Sequence, residues 1–197
     1  MVNSQELPAT QEHTRGKRLY IALIPWVLFT LIAQHGTLQL ASIAALVIAI
    51  GISVPGIASG RPKVLELGAV GAFAAFTIVA FAADPAVGHW VERYARGIAA
   101  AMLALIAFAS LATVPFTEQY AREEVPREDW GSPRFKAINR RLTLMWGLVF
   151  TAMIPFHIAA GVIDTRITNI AFNWVVPIGL VLLGIKLTAT ITEHEEA

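Results

Sequence analysis

Six stretches of the chain stay apolar far longer than a soluble helix needs: residues 19–33, 38–58, 64–83, 95–116, 142–163 and 168–190. A helix rises about 1.5 Å per residue, so about 20 apolar residues cross about 30 Å of hydrocarbon. The first stretch, Leu19–Ala33, is short and crosses with little tilt. A backbone in lipid must satisfy its own hydrogen bonds, which leaves helices or a closed barrel. Barrel strands alternate apolar and polar side chains, and Ala41–Ile52 shows no such alternation. The pattern therefore predicts an all-α polytopic bundle of six transmembrane helices.

The polar breaks pair the helices into three hairpins. The first turns at Gln34-His35-Gly36-Thr37. The second is entered through Ser59-Gly60-Arg61-Pro62-Lys63, where glycine and proline break the helix, and turns around Ala83-Asp84-Pro85. The third turns at Asp164–Thr168. Residues 1–18 form a polar tail without a small-residue cleavage site, so the first helix is expected to be retained. Residues 19–190 form the membrane domain and 191–197 an acidic tail, with no length left for a second core. Trp26–Thr30 is faintly echoed by Trp146–Thr151, as in the repeats of some transporters.

Composition changes the picture little: 56% of residues are hydrophobic and 15% charged, against about 25% charged in soluble domains. The placement of charge says more. With six crossings, twelve of the fifteen Lys and Arg residues fall on one side: Arg15, Lys17, Arg18, Arg61, Lys63, Arg122, Arg127, Arg134, Lys136, Arg140, Arg141 and Lys186. Arg93, Arg96 and Arg166 fall on the other. Positive loops stay inside, so both termini are expected in the cytoplasm of a bacterial-type inner membrane. A net charge of +1 argues against broad nucleic-acid affinity. The absence of cysteine excludes disulfides, thiolate catalysis and iron–sulfur clusters.

The most unusual segment is the charged loop at 117–141. Its first half mixes both signs, and Glu123, Glu124, Arg127, Glu128, Asp129 and Trp130 form a candidate surface for other membrane proteins. Its second half is basic. Ser132-Pro133 is a good helix start, and Phe135, Ile138 and Leu142 recur on one face flanked by Arg134, Lys136, Arg140 and Arg141. That pattern predicts a short amphipathic helix lying among anionic headgroups. Small residues form stripes on helix three (Gly68, Ala72, Ala75) and helix four (Gly97, Ala101, Ala104, Ala112). Such stripes allow close helix packing, within the bundle or across a homodimer.

Five histidines, at 13, 35, 89, 157 and 194, show no metal-ligand spacing. Only His157 lies well inside a span, two residues after Pro155. It reads as a neutral histidine bonded to a neighbouring helix, or, with Asn173, as an intramembrane polar site. Glu66 and Lys186 lie near the inner interface, and Gly51, Pro55 and Pro177 interrupt otherwise regular spans. No nucleophile motif or glycine-rich phosphate loop is present. No catalytic residue, metal or cofactor is therefore assigned.

Several features together resemble the intracellular septation protein A family of small bacterial inner-membrane proteins. Pro25 and Phe29 lie in helix one, and an alanine- and isoleucine-rich helix two leads to Arg61-Pro62-Lys63. Pro126 and Trp130 precede the penultimate helix, and Leu142-Thr143, Trp146 and Phe150 open it. The chain departs from that pattern at Thr143, where asparagine is expected, and at Ile138, where tryptophan is expected. The resemblance implies a non-enzymatic protein acting through partners in envelope assembly and division, and supplies no catalytic residues. The alternative function is a small oligomeric transporter or channel with a polar path near His157 and Asn173.

Overall fold

The computed structural model describes residues 17–194, and among these there is no strand. Most of the polar tail, including His13, and the last three residues lie outside the described residues. Four helices follow one another through short turns: α1 (Lys17–His35), α2 (Leu38–Ala58), α3 (Val64–Ala82) and α4 (Pro85–Ser110). A short α5 (Phe116–Ala121) and a 3₁₀ turn (Arg127–Gly131) lead into α6 (Pro133–Ile163). Then α7 (Arg166–Ile170) passes through a π-helical turn (Ala171–Val175) into α8 (Val176–His194). Five helices are long and apolar enough to cross a membrane: α2, α3, α4, α6 and the continuous α7–α8 rod. The apolar helix at Arg18–Gln34 is shorter.

Burial is inverted relative to a soluble bundle. On α2 the buried side chains include Ala41, Ser42, Ala45, Ala49 and Ser53. Leu40, Ile43, Val47, Ile50, Val54 and Ile57 point outward, each 42–63% exposed. Large aliphatic residues outside and small ones inside are what lipid selects: lipid tails are as apolar as leucine, while small residues let backbones approach. The molecule is thus a multi-pass membrane helix bundle.

Local chemistry sets the helix boundaries. Thr37 accepts from the Leu40 amide to start α2, and Asp84 accepts from the amides of Ala86 and Val87 to start α4, with Pro85 at the first turn. Four residues after α4 begins come His89, Trp90, Glu92 and Arg93, so the helix starts ten residues before the apolar stretch expected at 95–116. Polar side chains do not end a helix. They only place its first turns outside the hydrocarbon. At its other end α4 stops at Ser110, because Pro115 breaks the segment before α5.

The expected separate amphipathic helix is also corrected. Ser132 does cap a helix at Pro133, accepting from the Phe135 amide at 3.2 Å. That helix runs unbroken for 31 residues to Ile163. At about 1.5 Å per residue it is far longer than the hydrocarbon is thick. Arg134–Arg141 are therefore the first turns of α6, not a short helix of their own.

The core joins α1 to α3 through aromatic rings. Trp26 and Phe29 meet Phe73 at 4.8 and 5.3 Å between ring centroids, and Phe29 meets Phe76 at 4.7 Å. Helix α4 packs most extensively on α6, which also carries α8. Glycines make these contacts close: Gly68 faces Ile106, Gly97 faces the His157 Cβ, and Gly147 faces the Phe108 ring. The stripe glycines thus serve packing within the bundle, while Ala75, Ala101 and Ala112 are exposed. Trp26 and Trp146 are both buried, but Thr30 bonds back to the Trp26 carbonyl and Thr151 to that of Gly147, so the sequence echo shifts register by one residue.

Candidate functional site

Eleven polar or charged residues are buried among those described, and seven gather at one end of the bundle: Lys63, Glu66, Ser110, Thr117, Glu118, Asn139 and Thr143. The segment between α4 and α6 draws them together. It folds back as a cap that completes the hydrogen bonding of three helix ends. A helix start leaves amides without partners, and Lys63 gives α3 no side-chain cap. Gln119 supplies it from 55 residues away: its Oε1 accepts from the Val64 amide at 2.8 Å, while its Nε2 donates to the Val114 carbonyl. Arg140 donates to the Leu111 carbonyl just beyond α4, and Ser110 Oγ accepts from the Phe116 amide at 3.0 Å.

Threonines fasten α5 to α6. The Thr117 hydroxyl donates to the Asn139 carbonyl at 2.8 Å, so Thr143 must supply the proton for the 2.8 Å bond between the two hydroxyls. Thr143 Oγ1 also accepts from the Thr117 amide at 3.4 Å, so its hydroxyl meets both the amide and the hydroxyl of that residue.

The charges form a second layer. Lys63 Nζ lies 2.9 Å from Glu123 and 3.8 Å from Glu66, and 4.2 Å above the Tyr120 ring. Glu123 also pairs with Arg18 of α1 at 3.1 Å. Tyr120 donates to Glu66 across 3.5 Å. Burial first, and the Glu66 carboxylate second, push the Tyr120 phenol above its usual range. Arg122 holds the buried Glu118 through Nε and Nη2, at 3.1 and 2.6 Å. The pair is half-buried: Glu118 is 5% exposed and Arg122 33%, so Arg122 compensates the buried carboxylate from the solvent side.

The expected docking residues therefore divide. Glu123 is exposed but already paired, tying the cap to Arg18 of α1 and to Lys63 at the start of α3. Trp130 donates to the Val125 carbonyl at 2.9 Å and carries Arg122 and Arg127 against its ring, so it is a structural post. Arg127, Glu128 and Asp129 are exposed on the 3₁₀ turn, and Glu124 is exposed beside it. Next to them runs a groove of about 600 Å³, walled by Tyr20 of α1, Tyr120, Phe135, Ile138 and Trp146, and Thr192 of α8. Arg134 also lines it, whereas Lys136, Arg140 and Arg141 are exposed on α6. Both ends of the described chain thus meet at the cap.

At the far end, His157 is buried between α4, α6 and the π turn. Its Nδ1 lies 2.8 Å from Asn173 Oδ1, and Asn173 Nδ2 donates to Asn169 Oδ1 at 2.9 Å. The second bond fixes the amide, so Nδ1 carries the proton and the imidazole donates. A π turn carries Asn173, and such turns recur at functional sites. Among the described residues no three histidine, aspartate or glutamate side chains converge to hold a metal ion.

Sequence reasoning finds the 117–141 loop but misses its partners Lys63, Glu66 and Thr143, and the role of the loop's own Gln119 in capping α3. Glu66 in the first turn of an apolar helix, three residues from Lys63, was the available signal. Comparison with known proteins returns no match: no protein-family model, no curated protein and no solved structure matches this chain.

Proposed function

We propose that this is a non-catalytic, six-span protein of a bacterial cytoplasmic membrane that docks other membrane proteins at its cytoplasmic cap. Helix α1 is taken as the sixth crossing: its apolar run, Arg18–Gln34, is shorter than the five long helices and would cross with little tilt. The cap end carries Arg18, Arg61, Lys63, Arg122, Arg127, Arg134, Lys136, Arg140, Arg141 and Lys186, against Arg93, Arg96 and Arg166 at the far end. The positive-inside tendency then puts the cap, and both chain ends, in the cytoplasm. The resemblance to the intracellular septation protein A family points to the same role, in envelope assembly or division.

The observation that carries this reading is the exposed strip Arg127-Glu128-Asp129, held on a braced turn beside an apolar groove. Mixed charges have no reason to seek lipid, and a groove at the membrane boundary fits the cytoplasmic end of a partner's transmembrane helix. A photo-cross-linking residue placed at Ser132 in living cells tests it. The expected result is a discrete protein adduct that disappears when Arg127, Glu128 and Asp129 are all replaced by alanine, at unchanged abundance. Adducts to lipid alone, or an adduct indifferent to the triple replacement, would contradict it.

A second reading, a small oligomeric transporter, is favoured by one observation: a polar cavity of about 470 Å³ adjoins Asn173.

A further inference from the structure

The cavity at the far end is lined by donors. Arg96 of α4 and Arg166 of α7 face it together with Gln34, Asn169, Asn173 and Trp174. No carboxylate lines it. The nearby Asp164 is already engaged: Arg93 pairs with one oxygen at 3.0 Å, and Asn169 donates to the other at 3.4 Å. Among the described residues neither Arg96 nor Arg166 has an ion-pair partner. The Arg96 Nε is buried and has no hydrogen-bond partner. A guanidinium inside a membrane bundle is costly unless something neutralises it, and here no side chain does.

The site's depth narrows the ligand. The turns of α4 before Arg96 are polar, with His89, Trp90, Glu92 and Arg93, and Gln34 and Arg166 sit at helix ends. Arg96 therefore stands where hydrocarbon gives way to headgroups. Guanidinium groups bind phosphate oxygens through paired, charge-assisted hydrogen bonds. The His157–Asn173–Asn169 chain holds two of the amides in fixed orientation.

We propose that this cavity binds a phosphate group, with Arg96 and Arg166 as its ion-pairing residues and Trp174 and Gln34 as neutral donors. The site is separate from the cap and stands whether or not the cap docks a partner. Its ligand chemistry has two sources, the headgroup of an anionic lipid or a free phosphate.

The test is thermal unfolding of the purified full chain in a phosphate-free maltoside detergent at constant ionic strength. One arm titrates inorganic phosphate, and the other titrates short-chain phosphatidylglycerol with the matching diacylglycerol as control. Saturable stabilisation by phosphate assigns a free-anion site, and by phosphatidylglycerol alone a headgroup site. In either case Arg96→Gln and Arg166→Gln should each weaken binding at least about tenfold. Arg166 is exposed at a helix start, so its replacement keeps the test valid if Arg96→Gln folds poorly. Arg61→Gln, at the cap end, should change nothing. Absence of saturable stabilisation in either arm, or equal losses in Arg61→Gln and Arg166→Gln, would overturn the proposal.

Discussion

At the residue scale, Tyr120 shows how the cap binds charge in a nearly dry place. Its ring lies under the Lys63 ammonium and its hydroxyl meets Glu66. Ionising the phenol there would put a second anion beside that carboxylate with little water to solvate either. The folded-state value is therefore raised, and the stability it contributes is fully present below the ordinary phenol pKa of about 10 and lost as pH rises beyond it. In detergent, the unfolding midpoint of the wild type should fall more steeply between about pH 9 and about pH 11 than that of Tyr120→Phe. Parallel curves would remove the buried-phenol account. Lys63 itself reads in the sequence as a topology marker beside Arg61. Glu66, three residues on, is its one local partner; its other contacts, Glu123 and Tyr120, lie about sixty residues on and leave no local sign of its burial. The same distance hides Gln119 as the cap of α3. His157 was more legible, since a lone histidine in an apolar span must find a partner.

At the element scale, hydropathy located the spans but not the helices. It responds to the bilayer, so it missed the polar turns that extend α4 toward Pro85 and α6 toward Pro133. The capping residues Asp84 and Ser132, each followed by proline, mark those starts more faithfully. The π turn at Ala171–Val175 left no mark in the apolar pattern. Packing between α4 and α6 depends on glycine at close approaches. A Cβ on Gly147 would stand 2.6 Å from the Phe108 ring, whereas one on Gly71 would meet nothing within 4 Å. Gly147→Ala should therefore destabilise the bundle by about 1–3 kcal/mol, as overpacking does. Gly71→Ala should be neutral or slightly stabilising, as helix propensity favours alanine. Unfolding midpoints of the two variants, measured side by side in one detergent, check this. Equal effects would mean that α4 and α6 do not pack as described.

At the scale of the whole molecule, the bundle has two chemically different ends. One is a cap rich in both charges, folded over the starts and stops of α3, α4 and α6. The other is sparse in charge and holds a pocket lined by arginine and carboxamides. The central claim, that the cap faces the cytoplasm across a six-span membrane domain, can be tested directly because the chain has no cysteine of its own. Single cysteines at Glu128, on the cap, and at Ile167, 79% exposed at the far end, would be probed with a membrane-impermeant maleimide. The account predicts that Ile167→Cys reacts in cells whose cytoplasmic membrane is intact, while Glu128→Cys reacts only after that membrane is opened. Labelling of Glu128→Cys in intact cells, with Ile167→Cys protected, would contradict it.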